Sequence, residues 1–212
     1  MKDHSRLLHL PTTSCILALG VIGSMFAPVV YFDRLLWLLL QLFLMGGLAS
    51  NYFDEIQGRP WHTSMPTNHL WIIGTMSSFA AIIIGIYIMA MVSGWFWIFT
   101  GLWEFFTLTY NLELFEGRLH NTTCTALSWG SICLGSYFIQ ATTITPLILA
   151  ISCITGCIAA QGRNLYETAK PFYKDKHPAS SAAHRHAWAQ LKTLIVFLDL
   201  NALMMLILRL MI

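Results

Sequence analysis

The sequence predicts an all-α fold: a polytopic transmembrane helical bundle of about seven spanning helices, one integral membrane domain over residues 1–212, with its N-terminus cytoplasmic. Three observations lead there. Hydrophobic residues make up 56% of the chain and charged residues only 10%, against about 25% charged in an ordinary soluble domain. Apolar stretches near the ~20 residues that cross hydrocarbon as a helix recur at about 13–32, 35–51, 70–92, 95–112, 124–141, 144–161 and 191–211. If the chain threads back and forth, all but Arg34 and Arg209 of the 12 Lys and Arg residues fall on one side, and basic loops stay cytoplasmic.

The first stretch follows the basic start MKDHSR. It lacks a small-residue cleavage site and is too long for a signal peptide, so it is expected to be a retained helix. The second ends in the polar segment SNYFDEIQGRPWH, residues 50–62. The third, 70–92, and the aromatic fourth, which contains WFWIFTGLWEFF, are joined by a short outer turn. Aromatics at this density read as packing surface and interface belt. The fifth and sixth, 124–141 and 144–161, are joined by TTITP. The longest polar segment, 162–190, follows, and its middle, YKDKHPASSAAHRHAWAQ, reads as a solvated loop leading into an interfacial helix start with Trp188 and Lys192 as anchors. Cys15, Cys124, Cys133, Cys153 and Cys157 form no C-x-x-C pair and are expected as small buried residues.

All eight histidines and most acids share the cytoplasmic side, at the inner ends of the second, fourth and sixth spans. There a pattern repeats: Gln57-Gly58-Arg59, Glu116-Gly117-Arg118 and Gln161-Gly162-Arg163. Glycine beside arginine suits a helix end. The repeat predicts three helical hairpins with equivalent polar ends. Asp54 and Glu113 stand four residues before the first two glycines, where a carboxylate opposes the helix dipole and needs a partner or a cation. Asn51-x-x-Asp54 and Asn164-x-x-Glu167 each place an amide and a carboxylate on one helix face. Such oxygen donors suit Mg²⁺ together with substrate phosphates, and Arg59, Arg118, Arg163 and Lys170 are the candidate phosphate donors.

With LASNYFDEIQGRP after the second span and GCIAAQGRNLYETAK after the sixth, the chain resembles the UbiA-type intramembrane prenyltransferase superfamily over roughly residues 8–175. Of the acids in that family's first motif Asp54 remains, with Glu55 adjacent; in the second, Asn164 stands for a carboxylate beside Glu167. The resemblance implies divalent-cation-dependent prenyl transfer or cyclisation of a prenyl diphosphate at the cytoplasmic face. Asp54, Asn51, Asn164 and Glu167 would hold Mg²⁺, with an isoprenoid or other membrane lipid as substrate and no nucleic acid.

Two other readings stand beside it. If the fourth helix continues, Glu113, Glu116 and His120 share a face; with Asp54, Glu55 and His62 they form the inventory of a carboxylate/histidine iron, zinc or manganese enzyme acting on a lipid-soluble substrate. The third reading is a non-catalytic membrane subunit that binds lipid or a membrane-protein partner. Two acids lie within spans, Glu104 and Asp199. Such residues face a bundle interior or a wet cavity. Glu104 is expected either as a cavity wall and general acid/base or as a neutral acid joining two helices.

Overall fold

The computed structural model describes the backbone of residues 2–175 and 182–211, with side chains for 3–169 and 182–211. The described residues are helical and turn structure without strands. A short α1 (Lys2–Leu7) leads into α2 (Leu10–Met25), whose first turn holds Pro11, where a missing N–H costs nothing. A single rod follows: α3 (Phe32–Leu42), a π-helical stretch (Phe43–Ala49) and α4 (Ser50–Ile56). Then come α5 (Thr67–Met91), a 3₁₀ turn (Gly94–Phe96) and α6 (Trp97–Asn111). The chain closes with α7 (Thr122–Ala141), α8 (Pro146–Asp175) and α9 (Ala182–Leu210).

Each of the seven apolar stretches is therefore occupied by a helix. Four rods are long and apolar enough to cross a membrane: 32–56, 67–91, 146–169 and 182–210. At 16 residues α2 is shorter, and α6 has 15. Leu36, Ile72, Met76, Phe79, Ile83, Val196, Leu200 and Leu203 stand exposed on the outer faces. An apolar exterior of this kind is that of a membrane protein.

In the core, α2 packs on α7 and α9, and α7 on α8. Close approach comes from small residues, as is usual where lipid supplies no hydrophobic drive between helices. A Cβ at Gly23 would lie 2.2 Å from the Cys133 carbonyl oxygen, and one at Gly130 or Gly156 would lie 2.6 Å from a facing backbone oxygen across the α7–α8 crossing. One end is clipped by arginine. Arg209 donates to the Ala27 and Pro28 carbonyls at 2.6 Å each, and Arg34 donates to the Ile139 carbonyl at 3.1 Å. The two cations set apart by the charge count thus sit at one end, away from Arg59, Arg118 and Arg163.

Two expectations are corrected here. The loop expected over 173–190 is helix at both ends, since α8 runs through Asp175 and α9 begins at Ala182; residues 176–181 lie outside the described residues. Cys15, Cys124 and Cys133 are buried as expected, but Cys153 and Cys157 face outward on α8.

Candidate functional site

At the end opposite the arginine clips, α2, α4, α6, α7, α8 and α9 enclose a cavity of about 350 Å³, within the usual size of a small-molecule site. Its deep wall is apolar: Trp103, Phe106, Trp129, Ile132, Ile195 and Leu198. Its rim carries Asn51, Asp54, Glu113, His120, Arg163 and Glu167. The gradient along the helices makes the cavity amphipathic, with charge confined to the mouth.

The rim is built by helix register. The π-helical stretch contains Gly46 and Gly47, which lie against Ile16 and Thr13 of α2 so closely that a Cβ at either would come within 2.8 Å of those side chains. Widened turns of this type recur at functional sites. Directly after it, Asn51 donates from Nδ2 to the Gly47 carbonyl at 2.7 Å, and both Asn51 and Asp54 line the cavity. From the facing side, α8 brings Arg163 and Glu167 one turn apart. Arg163 Nη2 donates to the His120 carbonyl at 3.0 Å, its guanidinium lies 5.1 Å from the Tyr110 ring centroid, and the charges of Glu167 and Asp54 both act on it. The two predicted acidic positions, far apart in the chain, thus converge on one cation.

His120 is held in a defined state. Its ring stacks on Tyr110 at 4.2 Å, and its Nδ1 lies 2.9 Å from the Tyr110 carbonyl oxygen. A carbonyl can only accept, so Nδ1 carries a hydrogen, and in the neutral ring the lone pair is on Nε2.

The remaining predicted residues lie elsewhere. Helix α6 ends at Asn111, and Glu113, Phe115 and Glu116 adopt left-handed backbone at φ 49, 58 and 60°. Glu113, Glu116 and His120 therefore do not share a helical face; Glu113 and His120 reach the cavity, while Glu116 pairs with Arg118 at 3.3 Å in solvent, both side chains at least 79% exposed. Glu55 is fully buried and accepts from the Trp61 N–H at 2.9 Å and from the Thr63 N–H and hydroxyl at 2.8 Å each. It anchors a loop and is not placed as a metal ligand. Arg59 closes the same loop, donating to the Thr63 and Met65 carbonyls and to Thr67 Oγ1 at 3.2, 2.9 and 2.9 Å. His62 is exposed and does not line the cavity.

The three Gly-Arg positions are also unequal. Gly58 follows the end of α4 at φ 64°, Gly117 lies in the turns beyond α6 at φ 72°, and Gly162 sits inside α8, where a Cβ would merely touch Leu194 at 3.4 Å. Asn164 accepts from Thr122 Oγ1 at 3.1 Å and is not part of the cavity lining. The side chain of Lys170 lies outside the described residues. Glu104 is buried against Ser78, off the cavity wall, which corrects the cavity-wall expectation.

Sequence reasoning missed the lid. His9, Thr12, Pro60 and Trp61 roof the mouth, with the His9 ring 4.1 Å from that of Trp61 and Thr12 Oγ1 2.5 Å from His9 Nδ1. Alongside, Asp3 accepts from the Ser64 N–H and hydroxyl, and His4 Nδ1 lies 2.7 Å from the Tyr52 hydroxyl. The pairing joins residues about fifty apart, so only the short stretches His9-Leu10-Pro11 and Pro60-Trp61 hint at it.

Burial pushes His9 down to about 4, below its ordinary value near 6.5. A base whose folded pKa is depressed binds fewer protons folded than unfolded between those values, so the lid is fully stable above about pH 6.5 and loses stability as pH falls toward 4. Trp61 fluorescence is expected to report its release over that window. Replacement of His9 by phenylalanine should flatten the response; an unchanged response would remove His9 as its cause.

Among the described residues no group of three or more His, Cys, Asp and Glu side chains is arranged to hold a metal ion. The donor set that does converge, two carboxylates facing an arginine, does not fit a resident transition metal. Magnesium takes one or two carboxylates and completes its shell with water and substrate phosphates, and Asp54 and Glu167 are the carboxylates at issue in the cavity lining. Comparison with protein-family models, curated proteins and solved structures gives no match.

Proposed function

We propose that this is a multi-pass membrane enzyme of seven spans whose cytoplasmic-facing cavity binds a prenyl diphosphate, head at the rim and tail against the aromatic wall, for divalent-cation-dependent prenyl transfer or cyclisation. The observation that carries this reading is the convergence of Asp54 and Glu167 on Arg163 at the mouth of an apolar cavity. Asp54, Glu113 and Glu167 outnumber Arg163 at the rim, so a diphosphate binds there only when its charge is neutralised.

Asp54 and Glu167 are the residues that hold Mg²⁺, which supplies charge neutralisation of the leaving diphosphate. Among the described residues Arg163 is the one rim guanidinium placed to donate to phosphate oxygens. Trp103, Phe106 and Trp129 present ring faces and edges that hold an isoprenoid chain, exclude water and favour a developing allylic cation. His120 takes the proton lost from the reacting partner at Nε2, its Nδ1–H remaining on the Tyr110 carbonyl.

The test is binding of a non-hydrolysable farnesyl diphosphate analogue to detergent-purified protein with and without Mg²⁺. Mg²⁺-dependent binding is expected, lost in Asp54→Asn and Glu167→Gln and kept in Glu116→Gln. Equal loss at Glu116, or binding indifferent to Mg²⁺, would overturn the assignment. In that case the amphipathic cavity reads as a lipid-binding site of a non-catalytic subunit.

A further inference from the structure

The prenyl-diphosphate reading leaves the buried acid Glu104 unused. Glu104 is 7% exposed and accepts from the Ser78 hydroxyl on Oε2, while its Oε1 is buried without a hydrogen-bond partner. One turn earlier on α6, Thr100 accepts from Gln41 Nε2 at 3.1 Å; Gln41 is fully buried and its Oε1 is likewise unpartnered. Two buried acceptor oxygens without donors, one on a carboxylate, are costly in this setting. A proton on Glu104 answers both needs: it removes the charge and supplies a donor complementary to the Gln41 carbonyl, directly or through a water.

A path to this group is visible on α6. Thr100, Glu104, Thr107 and Asn111 follow at spacings of four, three and four, which is one helical face, and all four are less than 9% exposed. Thr107 and Asn111 line the cavity; Thr100 and Glu104 lie deeper, between α3, α5 and α6. The elements packed against this face bring Gln41 from α3 and Ser78 from α5, while α7 offers Ser131 to Trp103 on the adjoining face. Asp54 of α4 lines the cavity, and among the described residues no cation forms an ion pair with Glu104. A stripe of hydroxyls and an amide thus runs from the wet mouth to a carboxyl amid apolar side chains.

We infer that Glu104 is a proton-binding site that exchanges with the cavity along the Thr107–Asn111 stripe. The proton moves between Glu104 Oε1 and water at the cavity mouth, leaving the Ser78 hydrogen bond to Oε2 in place. Neither the diphosphate nor its cation takes part, so this site stands or falls separately from the prenyl-transfer reading.

Infrared spectroscopy of the full-length protein in lipid vesicles tests it. The difference between wild type and Glu104→Gln should isolate a protonated-carboxyl C=O band, which shifts promptly on transfer to D₂O. The shift should slow in Thr107→Val/Asn111→Leu. A Ser78→Ala variant, which keeps the acid and removes its donor, should move the same band in frequency if Glu104→Gln does not fold. A carboxylate signal at Glu104, a band that resists exchange for hours, or exchange unaffected by the double variant would each overturn the inference.

Discussion

Alanine at position 23 is expected to destabilise the bundle by about 3 kcal/mol, the upper end for an overpacked site. The added Cβ would sit 2.2 Å from the carbonyl oxygen of Cys133 and 2.9 Å from its carbonyl carbon and Cα. Backbone cannot swing away as a side-chain tip can. Nearby, Ser24 donates to the Ser136 carbonyl at 3.2 Å, with both residues fully buried. The α2–α7 contact therefore gives way as a unit, and α2 also frames the cavity. Thermal unfolding in detergent should show the midpoint falling by about 10 °C for a chain of this size. Gly101→Ala is the matched control: that position is exposed on α6 and its Cβ meets only the Trp97 ring at 3.8 Å or beyond. It should hold or slightly raise the midpoint, because alanine is the better helix former. Equal midpoints for the wild type and the alanine variant at 23 would mean that the helices do not approach this closely.

Glu55→Ala carries the other large effect, a loss of about 4 kcal/mol. Removal of the carboxylate strands the Trp61 and Thr63 N–H groups and the Thr63 hydroxyl, each buried donor costing about 1–3 kcal/mol. The loop from Gly58 to Pro66 then keeps the Arg59 bonds, the Asp3–Ser64 contact and the His9–Trp61 ring contact, which hold it less firmly, and Trp61 leaves the cavity roof. Limited chymotrypsinolysis should cut after Trp61 much faster than in the wild type, alongside a lowered thermal midpoint. Unchanged cleavage would show that the loop has another anchor. Glu116→Ala, which removes half of a solvent-exposed pair, should match the wild type in both measurements, since exposed pairs contribute little.

Much of the architecture was legible because hydrocarbon imposes a coarse rule. A stretch must be apolar along its length to stand in lipid, and the seven apolar runs each became a helix for that reason. Gly58 could be read as a helix end because left-handed backbone is cheap for glycine, whereas Gly117 takes the same backbone in a turn beyond α6, which has already ended at Asn111. Gly162 carries the same local signal and stays helical: α9 packs beside it without forbidding a Cβ, and α8 has no need to stop there.

By itself the sequence determined the helical class, the membrane-protein composition, the segregation of Arg34 and Arg209 from the other cations, and Asp54 and Glu167 as paired candidates. Only the tertiary structure decided which polar residues face the cavity. Asp54 and Glu55 are neighbours in sequence, yet one lines the cavity and the other is fully buried under a loop. A helical residue turns about 100° from the one before it, and the π-helical stretch shifts that phase again. Close glycine contacts fix α2 against α7 and α7 against α8, and such contacts leave no mark in a count of charged and apolar residues.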